Sequence, residues 1–499
     1  MDQEMPLRDG WRQACTASLA GIAAMAALLG GCETPSPSSL SSSLAGDPEL
    51  AWMPRSWSAE ATAHTPEMAT AATSATPATP ELDAWWQAWG DATLSRLVES
   101  ALHANTDLAQ AQANVRRARA LRAAAASALT PVAEATLAGQ RSSPSGGPAT
   151  TTRLFTASLA ASWDLDVWGG TAAALRAAQA DARAVEFGLA VTRRALATEV
   201  ALDYVQWLVA QARWRVALEN LSAQEDTLQL VRWREQAGLA TGLEAAQAQS
   251  AVAQTRAQLP ALRNSIAQWT HALSVLQGVS PTETVVTSAD ASVAWAALSS
   301  WRPPPLALNL PAAVLRRRPD VRMAEAQWVA GAERLAQAQA ARYPQPSLRA
   351  STAWTGLTLS SLGQAAAVST WGAVLSGTLY DGGLRTAQAQ AQAEAAQALL
   401  EAYRGRVLTA LQEVEDAIAA RAHAQQRTQD LQEAEQAAGL AAELARQRYA
   451  NGLVDFQVVL EAQRTRLAIQ DTHLVSQADA LVQHIRLTQA LGGGWSAPP

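Results

Sequence analysis

The side chains that most often carry enzyme chemistry are few and scattered in this chain of 499 residues. No two of its histidines have the spacing of metal ligands with a third partner nearby. No nucleophile motif or phosphate-binding loop is present in the sequence. We therefore expect no catalytic centre, metal site or cofactor, and the pattern does not favour an enzyme. The six histidines are His64, His103, His271, His423, His473 and His484.

One cysteine stands where its thiol has a clear chemical use. Residues 29–32 read LGGC, and they end a mostly apolar run that begins at position 17, after Arg8 and Arg12. A basic start, a short apolar run and small residues before a cysteine resemble the lipobox of bacterial lipoproteins. We expect residues 1–31 to be a signal peptide and the Cys32 thiol to take the lipid. The alternative is an ordinary secretory leader with a chance cysteine.

Residues 32–80 are expected to form a lipidated flexible tether. They are rich in Pro, Ser, Thr and Ala and contain few large apolar side chains, so they cannot bury a core. Glu33 follows the cysteine, which resembles the pattern for transfer to the outer membrane. We expect folding to begin near Leu82, with Trp85, Trp86 and Trp89 as the first large apolar anchors.

Composition excludes several classes of partner and of structure. The formal net charge is −6, which provides no basic surface for a nucleic acid. The two cysteines, Cys15 and Cys32, both lie near the start, so no disulfide framework is available to the body. No apolar run of membrane-spanning length follows residue 32, so a spanning helix is not expected there.

The second half of the chain repeats the first at a nearly constant offset. Such an offset indicates a tandem duplication, with repeats expected at 81–300 and 301–495. Each half reads as a helix, a pair of strands and a very long pair of helices. The paired landmarks, 213 or 214 positions apart, are Asp107 and Asp320, Pro131 and Pro344, Gly169-Gly170 and Gly382-Gly383, and Gly238 and Gly452.

Four segments alternate apolar and polar side chains with a period of two, most clearly from Phe155 to Val167. This pattern suits tilted membrane-spanning strands, although a soluble antiparallel sheet with one wet face would look the same. Four strands cannot close a barrel in lipid. If they span a membrane, several chains must share one barrel, and three chains would give twelve strands. The strands are expected at about 131–141, 153–168, 345–356 and 368–381.

The remaining sequence predicts long antiparallel coiled-coil hairpins. Leucines recur every seven residues at positions 460, 467, 474 and 481, which is coiled-coil spacing. Asn451-Gly452 and Gly238 are expected at the two hairpin turns, and Pro260 is expected to kink one returning helix. The predicted fold class is mainly α with a membrane β-barrel, the hairpins forming a tunnel.

Three stretches of sequence resemble the outer-membrane efflux protein family, that of TolC and OprM. The resemblance covers nearly all of residues 80–495. The lipobox and the three-Arg-Pro-Asp segment favour its NodT-like lipoprotein branch, which partners resistance-nodulation-division pumps. The stretches are LRRRPDVRMAE at 315–325 with ARYP at 341–344, LYDGG at 379–383 with LQEVEDA at 411–417, and RYANG at 448–452 with Phe456 and VLEAQR at 459–464.

This resemblance implies a homotrimer with its barrel in the cell outer membrane, lipid-anchored and extending into the periplasm. It implies a passive exit channel for small molecules, served by a periplasmic adaptor (membrane fusion) protein and an inner-membrane resistance-nodulation-division pump. A duct for type I protein secretion is an alternative within the same fold. A coiled-coil lipoprotein without a pore is another, although the four alternating segments argue against it.

The resemblance also implies a periplasmic gate at the second hairpin turn. The matching residues are Tyr449, Glu461 and Arg464, and Asp455 lies nearby. The family usually has Asp where this chain has Glu461. Three copies around an axis would bring the Glu461 carboxylates together, and Arg464 follows on the same helical face. The alternative is an ordinary exposed pair worth about 0–1 kcal/mol.

The Asp381-Gly382-Gly383 segment looks like the corner between strand and helix at the base of the barrel. Glycine permits the sharp change of backbone direction. Gly169 and Gly170 are the counterparts in the first repeat. The expected role of these residues is structural.

Overall fold

The structure, a computed structural model, describes residues 82–143, 151–283, 285–286 and 311–495, with positions 57 and 304. The expected signal peptide, the lipid-attachment residue Cys32 and the expected tether lie outside the described residues, except for Trp57. The Trp57 side chain is buried.

Helices dominate the described chain. Within it, no helix is both long enough and apolar enough to cross a membrane. Short 3-10 turns occupy Leu82–Trp89 and Ser360–Gln364. The helices are α1 (Ala92–Ala104), α2 (Thr106–Ser127), α3 (Gly170–Gln236), α4 (Gly242–Leu276), α5 (Pro311–Arg317), α6 (Pro319–Ala340), α7 (Leu384–Ala450) and α8 (Phe456–Ala490).

The duplication read from the sequence is visible in the helix lengths. Helices α2 and α6 both have 22 residues, α3 and α7 both have 67, and α4 and α8 both have 35. At 1.5 Å per residue, α3 and α7 each extend about 100 Å. Their Ala- and Gln-rich sequences favour such lengths. Helix α4 is continuous through Pro260, the residue at which the sequence predicts a kink.

Four antiparallel strands form one sheet in the order β1-β2-β3-β4. The central pairing of β2 with β3 joins the two repeats, and Leu159 of β2 lies between Ala135 of β1 and Thr352 of β3. Neither β1 nor β4 has a described strand on its outer side. The strands are β1 (Val132–Ser142), β2 (Thr152–Asp164), β3 (Gln345–Gly356) and β4 (Val368–Ser376).

Strands β2 and β4 end earlier than the sequence predicted, at Asp164 and Ser376 rather than at 168 and 381. Past these points the chain turns into the next helix, and the carboxylates of Asp166 and Asp381 accept hydrogen bonds from backbone N–H groups at the start of that helix. Apolar and polar side chains continue to alternate in the sequence beyond these points, although the strands do not continue.

The coiled-coil leucines pack as the spacing predicts. Leu460, Leu474 and Leu481 of α8 are buried, and Leu467 is half-buried. One extensive apolar cluster includes the three early tryptophans and residues from α1, α3 and α8. Members of this cluster are Trp85, Trp86, Trp89, Leu94, Leu97, Tyr204, Trp207, Leu273 and Ile485.

Candidate functional site

The two hairpin turns have the same backbone design. Gly238 and Gly452 both have a φ of 73°, in the left-handed region that favours glycine. The Gly452 N–H donates to the Tyr449 carbonyl at 2.9 Å, and the next N–H donates to the Arg448 carbonyl at 2.9 Å. The same pair of bonds recurs around Gly238. These are Schellman endings, and they stop each 67-residue helix at a defined residue.

The two returning helices begin differently. Thr241 caps α4 in a capping box, because its hydroxyl accepts from the Glu244 N–H and the Glu244 carboxylate accepts from the Thr241 N–H. Asp455 caps α8 with no side-chain hydrogen bond and is exposed. The second turn therefore presents a carboxylate that its own helix does not engage.

Arg234 joins the ends of the two long helices. Its Nη1 donates to the carbonyls of Tyr449 at 2.5 Å and Ala450 at 3.3 Å. Its guanidinium also lies 4.6 Å from the centre of the Tyr449 ring. A cation here adds a donor to carbonyls at the helix end and opposes the negative end of the helix dipole. Sequence reasoning did not identify this residue, although an arginine in the last turn of α3 was the available signal.

Tyr449 lies inside the hairpin tip rather than on its surface. Its side chain is 2% exposed and packs at 5.5 Å, ring to ring, against Phe456. Burial raises the pKa of the Tyr449 phenol above its ordinary value. Val231, Val252 and Val459 belong to the same apolar cluster.

Glu461 and Arg464 are both exposed on α8. Among the described residues no ion pair joins them, so the i,i+3 pair implied by their spacing is not formed within one chain. The neighbouring Gln463 instead donates to the Thr227 hydroxyl at 3.0 Å, which places that face of α8 against α3. The structure thus unites Tyr449 with Arg234 and leaves Glu461 and Arg464 facing away from that contact.

The corners between sheet and long helices depend on aspartates. Asp381 accepts from the N–H groups of Gly383 at 2.9 Å and Arg385 at 3.1 Å. The hydrogen bonds from Arg385 and Gly383 hold the pKa of Asp381 below its usual value. Gly383 has a φ of 91°, which favours glycine, and Gly382 has a φ of 65°.

The first repeat makes the same corner with a different aspartate. Asp166 accepts from the N–H groups of Thr171 at 3.0 Å and Ala172 at 2.6 Å. Gly169 has a φ of 73°. A Cβ on Gly170 would lie 3.1 Å from the Ala340 Cβ, so a glycine permits the close approach of α6. Asp166 was not a predicted site residue, because it lies outside the 213-residue offset from Asp381.

The sheet has one apolar face that the described chain leaves uncovered. Trp371 is 89% exposed and Leu137 is 68% exposed, and contact of such large apolar side chains with water is unfavourable. Paired residues share a face, so Ala161, Ala350 and Trp371 lie side by side. The opposite face carries mostly Thr, Ser, Glu and Arg, with four exposed apolar side chains among them, Val132, Leu154, Val368 and Val374. Large exposed side chains on the apolar face are Leu137, Leu159, Trp163, Leu348, Trp371 and Leu375.

Comparison with known proteins identifies the family. The outer membrane efflux protein model matches residues 97–279 and 310–493. The chain belongs to the outer membrane efflux protein family. It is an outer-membrane efflux channel protein. Its fold, long helices with a small antiparallel sheet, is consistent with this assignment.

Individual relatives resemble this efflux protein along most of their length. The pyoverdine export outer membrane protein OpmQ of Pseudomonas aeruginosa is 34% identical over 440 residues, which are 84% of this chain and 88% of OpmQ. The toluene efflux pump outer membrane protein TtgF of Pseudomonas putida is 29% identical, over 82% of this chain and 85% of TtgF. The outer-membrane channel OprN superposes with a TM-score of 0.75 at 29% identity, covering 86% of this chain and 96% of OprN.

In this efflux protein the three-Arg-Pro-Asp segment forms a buried charge cluster. The Arg318 side chain is fully buried, and it donates to both Asp320 carboxylate oxygens, at 3.2 and 2.7 Å. It also donates to Glu413 and to the Ala410 and Ala490 carbonyls, the last two at 3.4 and 3.3 Å. The motif thus connects α6, α7 and α8.

The cluster keeps Asp320 ionised although the carboxylate is buried. Burial by itself raises the pKa of Asp320, but the hydrogen bonds and charge of Arg318, with Arg194 and Arg406, hold it well below its usual range. The sequence indicated the motif through family resemblance alone, because its partners lie far away along the chain.

Proposed function

We propose that this protein is the passive, homotrimeric exit channel of a tripartite efflux system for small molecules. The observation that carries the proposal is the four-stranded sheet, which has an uncovered apolar face and open edges at β1 and β4. Open edges are not tolerated in lipid, so neighbouring chains must pair with both of them. Three chains supply twelve strands, an even number within the range of outer-membrane barrels.

The helices support the same assembly. Helix α6 packs against both long helices, α3 and α7, whereas its counterpart α2 packs against α3. By the internal repeat, the second neighbour of α2 is the α7 helix of an adjacent chain. The ring closes when the α7 helix of each chain packs against the α2 helix of the next chain.

Passive conduction by a channel needs an energy source elsewhere. We assign that role to an inner-membrane resistance-nodulation-division pump, joined to this channel by a periplasmic adaptor. The names of the relatives support small-molecule cargo over polypeptides, since OpmQ exports pyoverdine and TtgF belongs to a toluene pump. Such unlike cargos favour a duct that selects weakly, with no catalytic step of its own.

Lipid attachment at Cys32 completes the proposed localisation in the outer membrane. The LGGC motif at 29–32 supports it, and several acyl groups would be needed for stable anchoring. Replacing Cys32 with Ala should abolish incorporation of labelled palmitate. Retained label would refute the site of attachment while leaving the channel proposal intact.

We propose that the periplasmic gate lies at the second hairpin turn. Asp455, Glu461 and Arg464 are exposed there, and α8 does not use the Asp455 side chain as a cap. Around a three-fold axis these charges meet their copies, and Glu461 carboxylates can pair with Arg464 of a neighbouring chain. Tyr449 contributes by holding the turn through its contacts with Arg234 and Phe456.

Single-channel conductance in a planar bilayer tests both parts. We expect rare, small openings from the wild type and longer or larger ones from Glu461→Ala/Arg464→Ala. The matched control is Arg427→Ala/Glu433→Ala, which removes one positive and one negative charge from exposed positions on α7, away from the second hairpin turn. Equal openings in both variants would refute the gate. No conductance from any inserted protein would refute the channel.

A further inference from the structure

A half-open cavity lies between α2 and α3, apart from the hairpin tips and the sheet. Its volume is about 180 Å³. Both helices contribute arginines to it. The lining residues are Arg119, Arg122, Gln179, Ala182, Arg183 and Glu186.

The charges in this cavity are unbalanced. Arg119 donates from Nε and Nη2 to one Glu186 oxygen, at 2.9 and 2.8 Å, so these two residues neutralise each other. Arg122 and Arg183 are exposed, and no ion pair to either is found among the described residues. The cavity therefore carries two uncompensated positive charges in a chain whose formal net charge is −6.

The second repeat shows that helix packing does not require these charges. At the 213-residue offset, the four charged residues of the cavity are replaced by Ala332, Leu335, Ala396 and Leu399. That seam is close-packed: a Cβ on Gly331 would lie 2.6 Å from a Leu399 methyl carbon. In the second repeat, α6 and α7 thus pack through small and apolar side chains. In the first repeat, the equivalent helices α2 and α3 leave an arginine-lined cavity between them.

We propose that this cavity is a binding site for an anionic phosphate group. Guanidinium groups present planar pairs of N–H donors that match phosphate oxygens, and the two free arginines favour a ligand with a net negative charge. The Gln179 amide can add a donor, while Glu186 keeps the Arg119 fork in place. Arg183 lies 13 residues after Gly170, about 20 Å along α3 from the corner of the sheet. The phosphate group can belong to a soluble anion or to a lipid head group.

Calorimetric titration of the purified full-length protein in neutral detergent with inorganic pyrophosphate tests the site. We expect the wild type to bind and Arg122→Gln/Arg183→Gln to bind at least tenfold more weakly. The matched control is Arg116→Gln/Arg117→Gln, which removes two exposed arginines of α2 that do not line the cavity. Glu186→Gln should bind more tightly, because it leaves a third positive charge uncompensated.

Two results would overturn the proposal: no binding of pyrophosphate by the wild type in neutral detergent, or equal weakening of binding in the cavity variant and its control. A melting temperature of the cavity variant equal to that of the wild type without pyrophosphate shows that the fold is intact.

Nanodiscs separate the two sources of the phosphate group. If discs containing phosphatidylglycerol block pyrophosphate binding, and discs of phosphatidylcholine alone do not, the ligand is a lipid head group. If both discs permit binding, the ligand is a soluble anion. These experiments need no conductance, so they stand whether or not the gate proposal holds.

Discussion

Arg318 donates to both carboxylate oxygens of Asp320, two positions along the chain, with neither side chain open to water. Pro319 between them occupies the first turn of α6, where its missing N–H costs nothing. The ion pair therefore forms at the first turn of the helix that begins the second repeat. Arg318 then reaches the Ala410 and Ala490 carbonyls, which fixes this start against α7 and α8.

Replacing Arg318 with Ala should destabilise the protein strongly. The change leaves the Asp320 carboxylate buried with its main partner removed, and breaking such a pair costs about 3–5 kcal/mol. Arg316→Ala is the control, because Arg316 is exposed two residues earlier and should cost under about 0.5 kcal/mol. Thermal unfolding of both variants in detergent measures the difference, and equal melting temperatures would contradict the assignment.

Acid should weaken the fold through His484. Its ring is fully buried beside Trp89, and neither nitrogen has a hydrogen-bond partner among the described residues. Burial, with the charge of Arg421, lowers the pKa of His484 to about 3. The folded state therefore holds the neutral ring, whereas the unfolded chain takes up a proton near pH 6.5.

Because the folded pKa is the lower one, the contribution of His484 is complete above pH 6.5 and declines as the pH falls towards 3. Between pH 7 and 5 the loss should be about 2 kcal/mol. Melting temperatures at both pH values should differ less in His484→Leu than in the wild type. His423→Leu, at an exposed position, should keep the full difference. A wild-type melting temperature unchanged by pH would refute the prediction.

Loss of Arg234 should loosen the hairpin tip. Arg234→Ala removes two hydrogen bonds to the end of α7 and the contact with the Tyr449 ring. Hydrogen bonds to a charged group are worth about 1.5–3 kcal/mol. Under the proposed gate, the variant should open more often in a bilayer than Arg232→Ala, whose exposed arginine contacts Gln249 within the first hairpin. Identical opening by the two variants would argue against a role for Arg234 in closure.

Two glycine substitutions near the tip should change the stability of the protein in opposite directions. Gly452→Ala should cost about 1–2 kcal/mol, because its left-handed backbone disfavours a Cβ. Gly439→Ala, within α7 and with open space around the new methyl, should stabilise by about 0.5–1 kcal/mol. Denaturant unfolding compares the two, and a shift of the same sign in both would contradict the backbone argument.

The elements that sequence predicted best are those with local signals. Heptad leucines and the two turn glycines act within one element, so hydrophobic period and backbone preference identify them. The constant offset is found by comparing the two halves of the sequence, which requires no knowledge of their contacts. The family and its fold are confirmed by comparison. The roles of the gate residues and of Cys32 remain predictions.

The interactions that sequence missed join distant parts of the chain. Arg234 meets Tyr449 across 215 positions, and Arg318 meets Ala490 across 172. No local period records such partners. Glu461 and Arg464 illustrate the converse, because helical spacing placed them together but exposed side chains gain too little from pairing to be held.

The open edges of the sheet have a consequence for how the cell must make this protein. A newly exported chain presents two unpaired strand edges and an apolar face before any neighbour is present, which is the pattern that drives strands to pair wrongly. Closure of the barrel between neighbouring chains competes with this incorrect strand pairing. Closure requires several chains to meet, whereas incorrect pairing can begin at any exposed strand edge. Under the proposed trimeric assembly, the yield of finished channels should therefore fall more steeply than expression does.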